Sequence, residues 1–518
     1  MQCSDILSRI HIDSKQIPLS QSSSTYITTV RHVECTSKTW SQLYHCSVKV
    51  ILILRSLINQ TLNCITVLCS CCNLYWESEK EGMFRGGLKI RTLHVRDIRF
   101  PTSLGSHGTD AMQVDCNYSC RIIIYKYKTE AKYELLLILA SLENILKSMA
   151  PLVVGTDASE IFDDFASFWR KLTSHSQLRW VGPEKGVIHL ATAAIINALW
   201  DLWAKLERKP LWKLLVDMEP EKLVSTIDFR YISEIVTKEE AIEMLKAKQA
   251  GKEDREELMR TVGYPAYTTQ AGWLGYSSDR VEQLCRMYLA NGFTAFKLKV
   301  GQNLEDDIRR CRMVRNVIGW DKHLMVDANQ VWDVPQAIEW MKHLAEFKPL
   351  WIEEPTSPDD VLGHKAISEA LQPLGIGVAT GEMCCNRVLF KQFLQSGAMQ
   401  FCQIDSCRIG GVNEILSVYL MAHKLGVPVC PHAGGVGLCE MVQHLQIWDY
   451  ISLSATTEGR MVEYVDQQHE HFENPTVVKH AHYIAPSVSN IYIYIYIYIY
   501  KALNLLITRK TKISSCKF

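Results

Sequence analysis

Phe293–Val300 reads FTAFKLKV, Leu324–Asn329 reads LMVDAN and Leu350–Pro355 reads LWIEEP. Each is a short apolar run that closes on a charged side chain: Lys299, Asp327 and Glu353. Helical periodicity fills the intervals, at Leu304–Ile318 and Val334–Phe347. The same unit recurs downstream. Gly377–Gly381 runs into Glu382, Phe401–Asp405 ends on Asp405, Val427–Pro431 runs into His432, and Met461–Glu463 ends on Glu463, with a further helix at Val412–Leu425. From Lys299 to Glu463 the polar residues are 28, 26, 29, 23, 27 and 31 positions apart, about one strand plus one helix each time. Repeated strand–helix units predict parallel strands covered by helices. With a first strand at Thr268–Trp273 they make a (β/α)8-type barrel, whose strand ends share one catalytic face. A doubly wound open sheet is the alternative. No Gly-x-Gly-x-x-Gly turn follows an early strand, which speaks against a dinucleotide-binding version.

The rest of the chain is organised around that core. Residues 186–480 are assigned to the barrel. Residues 88–185 are assigned to an α+β capping domain with a strand over Ile98–Leu104 and a helix over Leu135–Lys147. Residues 1–87, rich in Ser, Thr and Cys and without a sustained period, read as a non-conforming extension expected to be disordered. Residues 481–518 read as a low-complexity tail, because Ile491–Tyr500 is a strict Ile-Tyr alternation of the kind a translated dinucleotide repeat produces.

Composition narrows the function. Lys plus Arg and Asp plus Glu number 56 each, so the formal charge is zero and no basic surface for nucleic acid or membrane is indicated. The 18 cysteines are irregularly spaced; Cys69, Cys71 and Cys72 lack the second ligand pair a zinc site needs, and free thiols in a reducing compartment are expected. The apolar stretch Val48–Trp76 is interrupted by Arg55, Asn59, Gln60 and Asn63, which argues against a membrane span. A small-molecule partner is the expectation.

The strand-end residues define a chemistry. Three carboxylates, Asp327, Glu353 and Glu382, projecting from neighbouring strands repel one another unless a cation sits between them. An oxygen-only set with positions left for water suits one Mg²⁺ ion, whereas a zinc hydrolase would favour His and Cys ligands. Lys299 on one side and His432 on the other place an amine and an imidazole across the substrate. Such a pair fits abstraction of the weakly acidic proton beside a carboxylate, with Lys297 stabilising the charge that develops. Near two positive charges the Lys299 pKa is expected to fall, so that it serves as a base. Asp405 is placed to orient His432 and favour its charged form.

These residues, together with GPEKGVIHLATAAIINALWDLWAK, LWIEEPTSPDD, QIDSCRIGGVNE and CPHAGGVGLCEMVQHL, resemble the mandelate racemase-like branch of the enolase superfamily, and within it the L-fuconate dehydratase group. The Lys-or-His base with Mg²⁺ is that superfamily's known chemistry. The resemblance spans about Ile90 to Pro486. It implies that Lys299 removes the C2 proton of L-fuconate and His432 helps the C3 hydroxyl leave, giving 2-keto-3-deoxy-L-fuconate. It further implies that Lys297 and Glu463 contact substrate, and that FPTSLGSHGTDAM forms a capping loop contacting it through Gly108, Thr109, Asp110 and Tyr118. A mitochondrial location is implied, although Asp5 and Asp13 depart from an ordinary acid-poor presequence, so the cytosol is the alternative; a homo-oligomer is also implied. Departures are local. CRIIIYKYKTEAKYELLLILASLENILK replaces a Gly-rich lid region (altered at about 119–150), SVSNIYIYIYIYIYKALNLL replaces the usual C-terminal return, and Met383 and Cys385 stand where polar residues are usual. An altered lid predicts Mg²⁺ binding with low turnover. Two alternatives to dehydration remain: a racemase or epimerase of a hydroxy acid, and a non-catalytic isoform with an impaired lid.

Overall fold

The computed structural model describes residues 89–100, 106–112, 118–126, 130–136 and 140–487, except 183 and 473. The readings made for residues 1–87, for the Cys69–Cys72 cluster, for Val48–Trp76 and for the Ile-Tyr repeat lie outside these residues.

The N-terminal part opens with three antiparallel strands in the order β1 (Thr92–Phe100), β2 (Tyr118–Lys126) and β3 (Glu130–Leu136). Glu130 pairs with Lys126 and Leu136 with Cys120, so the segment read as the start of a helix at Leu135 still belongs to a strand. The helix begins later, at Ala140, and runs to Val153. The apolar run YELLLILA satisfies a buried strand as well as a helix, and period alone does not separate the two.

The long helix Gly186–Leu206 follows. By length and composition it is apolar enough to cross a membrane, and it is instead a buried core helix of this fold. It docks on the barrel through polar contacts. Asn197 donates to the Ser406 carbonyl at 3.0 Å and accepts from the Val412 amide at 3.1 Å, while the Trp200 indole donates to Asn413 at 2.7 Å.

Barrel strands begin well after residue 186. They are β4 (Tyr264–Thr268), β5 (Ala295–Lys299), β6 (His323–Asp327), β7 (Trp351–Glu353), β8 (Gly377–Thr380), β9 (Phe401–Cys402) and β10 (Val462–Tyr464). Neighbours pair in parallel from β4 through β9, and β10 pairs back on β4. Between β9 and β10 the Val427–His432 segment joins through isolated parallel bridges, Cys402 to Val429 and Asp405 to His432. The Glu463 amide donates to the Pro431 carbonyl at 3.3 Å and closes the ring. Pro428 and Pro431 remove two amide donors, which is why a strand expected at Val427–Pro431 is reduced to bridges.

The first strand lies four residues earlier than Thr268–Trp273. The later residues instead form a turn pressed against β5: a Cβ on Gly272 would lie 2.0 Å from the Lys297 carbonyl oxygen, so only glycine permits the approach. A strand also appears where a tail was expected from residue 481. β11 (Val478–Lys479) and β12 (His482–Tyr483) form a small hairpin, and β12 pairs antiparallel with β4.

Strand alternation sorts the side chains. Phe296, Leu298, Leu324, Val326, Ile352 and Val378 join the main core between strands and helices. Tyr267, Ala295, Met325, Trp351, Ala379, Cys430 and Met461 form a separate apolar layer inside the barrel. Going along each strand past that layer, the next inward position is polar: Lys297 after Ala295, Asp327 after Met325, Glu353 after Trp351. Cys285, Cys311, Cys384, Cys402, Cys407, Cys430 and Cys439 are buried free thiols, and Cys385 is a half-buried one.

Candidate active site

Asp327 and Glu353 are fully buried, and with the nearly buried Glu382 they offer carboxylate oxygens that all lie within 4.8 Å of one another. Parallel pairing brings them together, since Lys299 is in register with Asp327 and Asp327 with Glu353. The grouping is costly for the acids alone. Burial first, and then the like charge of Asp327, push the Glu353 carboxyl up to about 8. A buried oxygen of Glu382, Oε2, has no hydrogen-bond partner. Three oxygen ligands, one of them unsatisfied and another reluctant to ionise, fit a hard divalent cation of the Mg²⁺ type.

Two lysines line one flank. Lys299 Nζ donates to Asp327 Oδ2 at 2.5 Å, and Lys297 Nζ donates to Glu353 Oε1 at 2.5 Å. Lys297 also sits 3.4 Å from Asp327 and 3.2 Å from Glu463. The expected fall of the Lys299 pKa rests on positive charge beside it, and the carboxylates around it act the other way. Burial most strongly disfavours its charge, yet Asp327, Glu382 and Glu353 together outweigh burial and the like charge of Lys297 and raise it above the ordinary lysine range. Asp327 is correspondingly lowered: burial works against ionisation, but Lys299 and Lys297 prevail.

His432 stands on the other flank. Its Nδ1 meets Asp405 Oδ2 at 2.8 Å, while Nε2 lies 3.5 Å from Glu382 and 3.7 Å from Glu463. Burial alone would discharge the imidazole. Glu382, the Asp405 hydrogen bond and Glu463 override burial and push it up to about 10, so the ring is an imidazolium at neutral pH. Glu463 is fixed by the Thr269 hydroxyl and by the Ala433 amide at 2.9 Å. Its carboxyl stays far below the usual range: burial opposes ionisation, but Lys297 and His432 dominate.

The 106–112 loop packs on the turn that follows β4. Thr109 is buried, and its hydroxyl donates to the Ser106 carbonyl at 3.0 Å while accepting from the Gly275 amide at 2.8 Å. Thr109 is therefore an anchor between loop and barrel, with its hydroxyl already engaged. Asp110 Oδ1 accepts from the Met112 amide at 2.8 Å and caps a turn. Gly108 takes a positive φ of 78° in that turn, and Tyr118 opens β2 opposite Phe100.

Sequence reasoning passed over several residues. Gln403 donates to Glu353 Oε2 at 2.6 Å, and the Trp351 indole approaches the same oxygen at 3.2 Å. Glu354 is fully buried at φ 41°, its carboxylate accepts from Gln330, and burial together with Glu382 pushes its carboxyl well up. The doubled acid in WIEEP was the available signal. For Gln403 the signal was its inward position two residues before Asp405.

A barrel closed around these carboxylates, with an α+β part ahead of it, defines a class. The "Enolase C-terminal domain-like" family matches residues 279–489, and the "Mandelate racemase / muconate lactonizing enzyme, N-terminal domain" family matches residues 136–216. The chain belongs to the enolase superfamily. It is 60% identical over 405 residues to mitochondrial enolase superfamily member 1 of Bos taurus, covering 77% of this chain and 91% of the relative. L-galactonate dehydratase of Hypocrea jecorina is 51% identical over 406 residues, covering 77% and 90% respectively. The crystal structure of human mitochondrial enolase superfamily member 1 superposes with a TM-score of 0.76 at 57% identity, over 78% of this chain and 93% of that one.

Proposed function

We propose that this chain is a Mg²⁺-dependent hydro-lyase that dehydrates a six-carbon acid sugar, with L-fuconate as substrate and 2-keto-3-deoxy-L-fuconate as product. The observation that carries the reading is the meeting of Asp327, Glu353 and Glu382 between the Lys299 amine and the His432 imidazole. The name of the L-galactonate dehydratase relative supports the reaction class. L-fuconate is 6-deoxy-L-galactonate, so the two acids share the configuration of their reacting carbons. The name of the bovine relative supports a mitochondrial place of action.

A Mg²⁺ ion held by the three carboxylates supplies, when bound, positive charge beside the substrate carboxylate and so acidifies the neighbouring C–H. Lys299, in its neutral form, takes the C2 proton on Nζ. Lys297, buried and held charged by Glu353 and Glu463 against the cost of burial, faces the negative charge that develops. His432, kept as an imidazolium by Asp405 and its acidic neighbours, gives its proton to the departing C3 hydroxyl, which leaves as water. The enol that remains tautomerises to the 2-keto acid. A racemase would instead need His432 as a neutral base for half of its cycle.

β2 and β3 fall in the stretch, about 119–150, whose sequence departs from the superfamily's Gly-rich lid, and we expect turnover to be low for that reason. The test incubates the chain with Mg²⁺ and a panel of six-carbon acid sugars and assays 2-keto product, alongside calorimetric Mg²⁺ titration. Product from L-fuconate that disappears with a chelator is the expected result. Tight Mg²⁺ binding with no product from any acid would overturn the proposal in favour of a non-catalytic chain.

A further inference from the structure

Arg310 lies on the helix Leu304–Ile318, is 3% exposed, and has no ion-pair partner among the described residues. Its guanidinium is spent on backbone carbonyls. NH1 donates to the Lys299 carbonyl at 2.5 Å, and NH2 donates to Gly272 at 2.9 Å and Trp273 at 3.3 Å. Burying a charge for carbonyl acceptors alone is expensive, and the fork geometry of Arg is what lets one side chain join two chain segments.

The segments it joins are the end of β5 and the turn Gly272–Gly275. The Lys299 amide donates to the Gly272 carbonyl at 2.9 Å, adding a second tie between them. Gly272 presses so closely on β5 that a Cβ would meet the Lys297 carbonyl. Three residues on, the same turn receives the 106–112 loop. The amides of Leu274 and Gly275 donate to the Thr109 carbonyl and hydroxyl at 3.2 and 2.8 Å. A Cβ on Gly275 would lie 2.8 Å from Thr109 Oγ1 and 2.9 Å from Ser106 Cβ. His107 packs edge-on against Trp273 and bonds the Tyr276 hydroxyl at 2.9 Å. One six-residue turn, AGWLGY, is thus clamped to the loop on one side and to Lys299 on the other.

We propose that Arg310 is a positioning residue for Lys299, and that the turn it grips transmits docking of the 106–112 loop to that lysine. The proposal rests on the reading of Lys299 as the base. The loop is then more than a cover: when Thr109 is seated, the turn is fixed, and the backbone that aims Nζ at C2 is fixed with it. Arg310 itself binds only backbone carbonyls at the end of β5 and in the turn, so its loss acts on the aim of Lys299 and hence on the proton-transfer step.

The experiment uses the full chain with Mg²⁺. Arg310→Met is expected to lower kcat at least tenfold with KM changed less than threefold, and Arg310→Lys to recover part of the loss. Amide hydrogen exchange gives a readout independent of turnover. Thr109→Val is expected to speed exchange at the Lys299 amide at least threefold in the parent chain, and to add nothing in Arg310→Met. Should Arg310→Met fail to fold, Arg310→Gln, which keeps a single NH₂ group as donor, takes its place. A folded Arg310 variant with unchanged kcat, or equal Thr109→Val effects with and without Arg310, overturns the link. Absence of turnover in the parent chain would instead count against the dehydratase reading, and the exchange arm would still decide the link.

Discussion

His432 Nδ1 and Asp405 Oδ2 are 2.8 Å apart across a parallel bridge that joins the two residues' own backbones. The backbone pairing sets the side-chain pair, so the carboxylate holds the ring in one orientation with Nε2 turned toward Glu382 and Glu463. The imidazolium form gains from this. The His432 pKa is raised above its ordinary 6.5, so the charged ring persists through neutral pH and is lost as pH climbs through about 10. In metal-free protein, NMR titration of the ring protons is expected to give a midpoint near 10. Asp405→Asn should move it down toward the ordinary imidazole value. Mg²⁺ should also lower it, because a cation on Glu382 removes the largest charge that raises it. A midpoint that ignores Asp405→Asn would remove the acid role argued for His432.

The two flanks of the site do separate jobs, which isotope exchange resolves. Lys299→Met is expected to abolish both dehydration and C2 proton exchange in D₂O, a loss of about 10²–10⁴-fold or more for a missing general base. His432→Asn should stop loss of the C3 hydroxyl yet leave C2 exchange detectable, since Lys299 still reaches that proton. Mass spectrometry of recovered acid sugar reads the difference. Equal loss of exchange in both variants would assign the base incorrectly.

Much of this site is legible in the sequence because the barrel converts spacing into convergence. Lys299, Asp327 and Glu353 each follow an apolar run, and parallel register alone brings them level. What supports them is harder to read. Arg310 works through backbone carbonyls, which leave no trace in side-chain chemistry, and it looks like one more charge on an amphipathic helix. The first strand was misplaced because Thr268–Trp273 is as buried as a strand, although it is a turn pinned by Gly272. Only two residues of β12 pair with β4, too short a run to stand out before a repetitive tail.

Metal dependence should appear in stability as well as activity. Glu382→Gln keeps the shape of the third ligand but removes its charge. With chelator present it should melt close to the parent's temperature, because relief of like-charge repulsion with Asp327 is offset by loss of the Glu382 attraction for the His432 imidazolium. The parent should gain about 2.7 kcal/mol at a Mg²⁺ concentration one hundred times Kd, and the variant almost none. Thermal melts with Mg²⁺ and with chelator measure both. An undiminished Mg²⁺ shift in Glu382→Gln would place the ion elsewhere.

A buried acid away from the site governs acid stability. Glu414 is fully buried at the start of the helix Val412–Lys424, where it meets His189 on the long helix Gly186–Leu206. It also accepts from the Arg387 amide at 2.9 Å, the Arg387 guanidinium at 3.1 Å and the Gly410 amide at 2.6 Å. Burial pushes its pKa up, but His189 and Arg387 overcome burial and hold it at about 2 against an ordinary 4.5. A lowered carboxyl pKa stabilises the fold above the ordinary value, and the contribution fades as pH falls from about 4.5 to about 2. The size is roughly 3 kcal/mol. Glu414→Gln is therefore expected to cost about 3 kcal/mol at pH 7, with Glu184 and Asp228 remaining as the counter-charges of Arg387. Urea titrations of both proteins should show the gap narrowing by about 1–2 kcal/mol as pH approaches 3. A gap that stays constant with pH would mean that the ionised carboxylate does not join the long helix to the barrel.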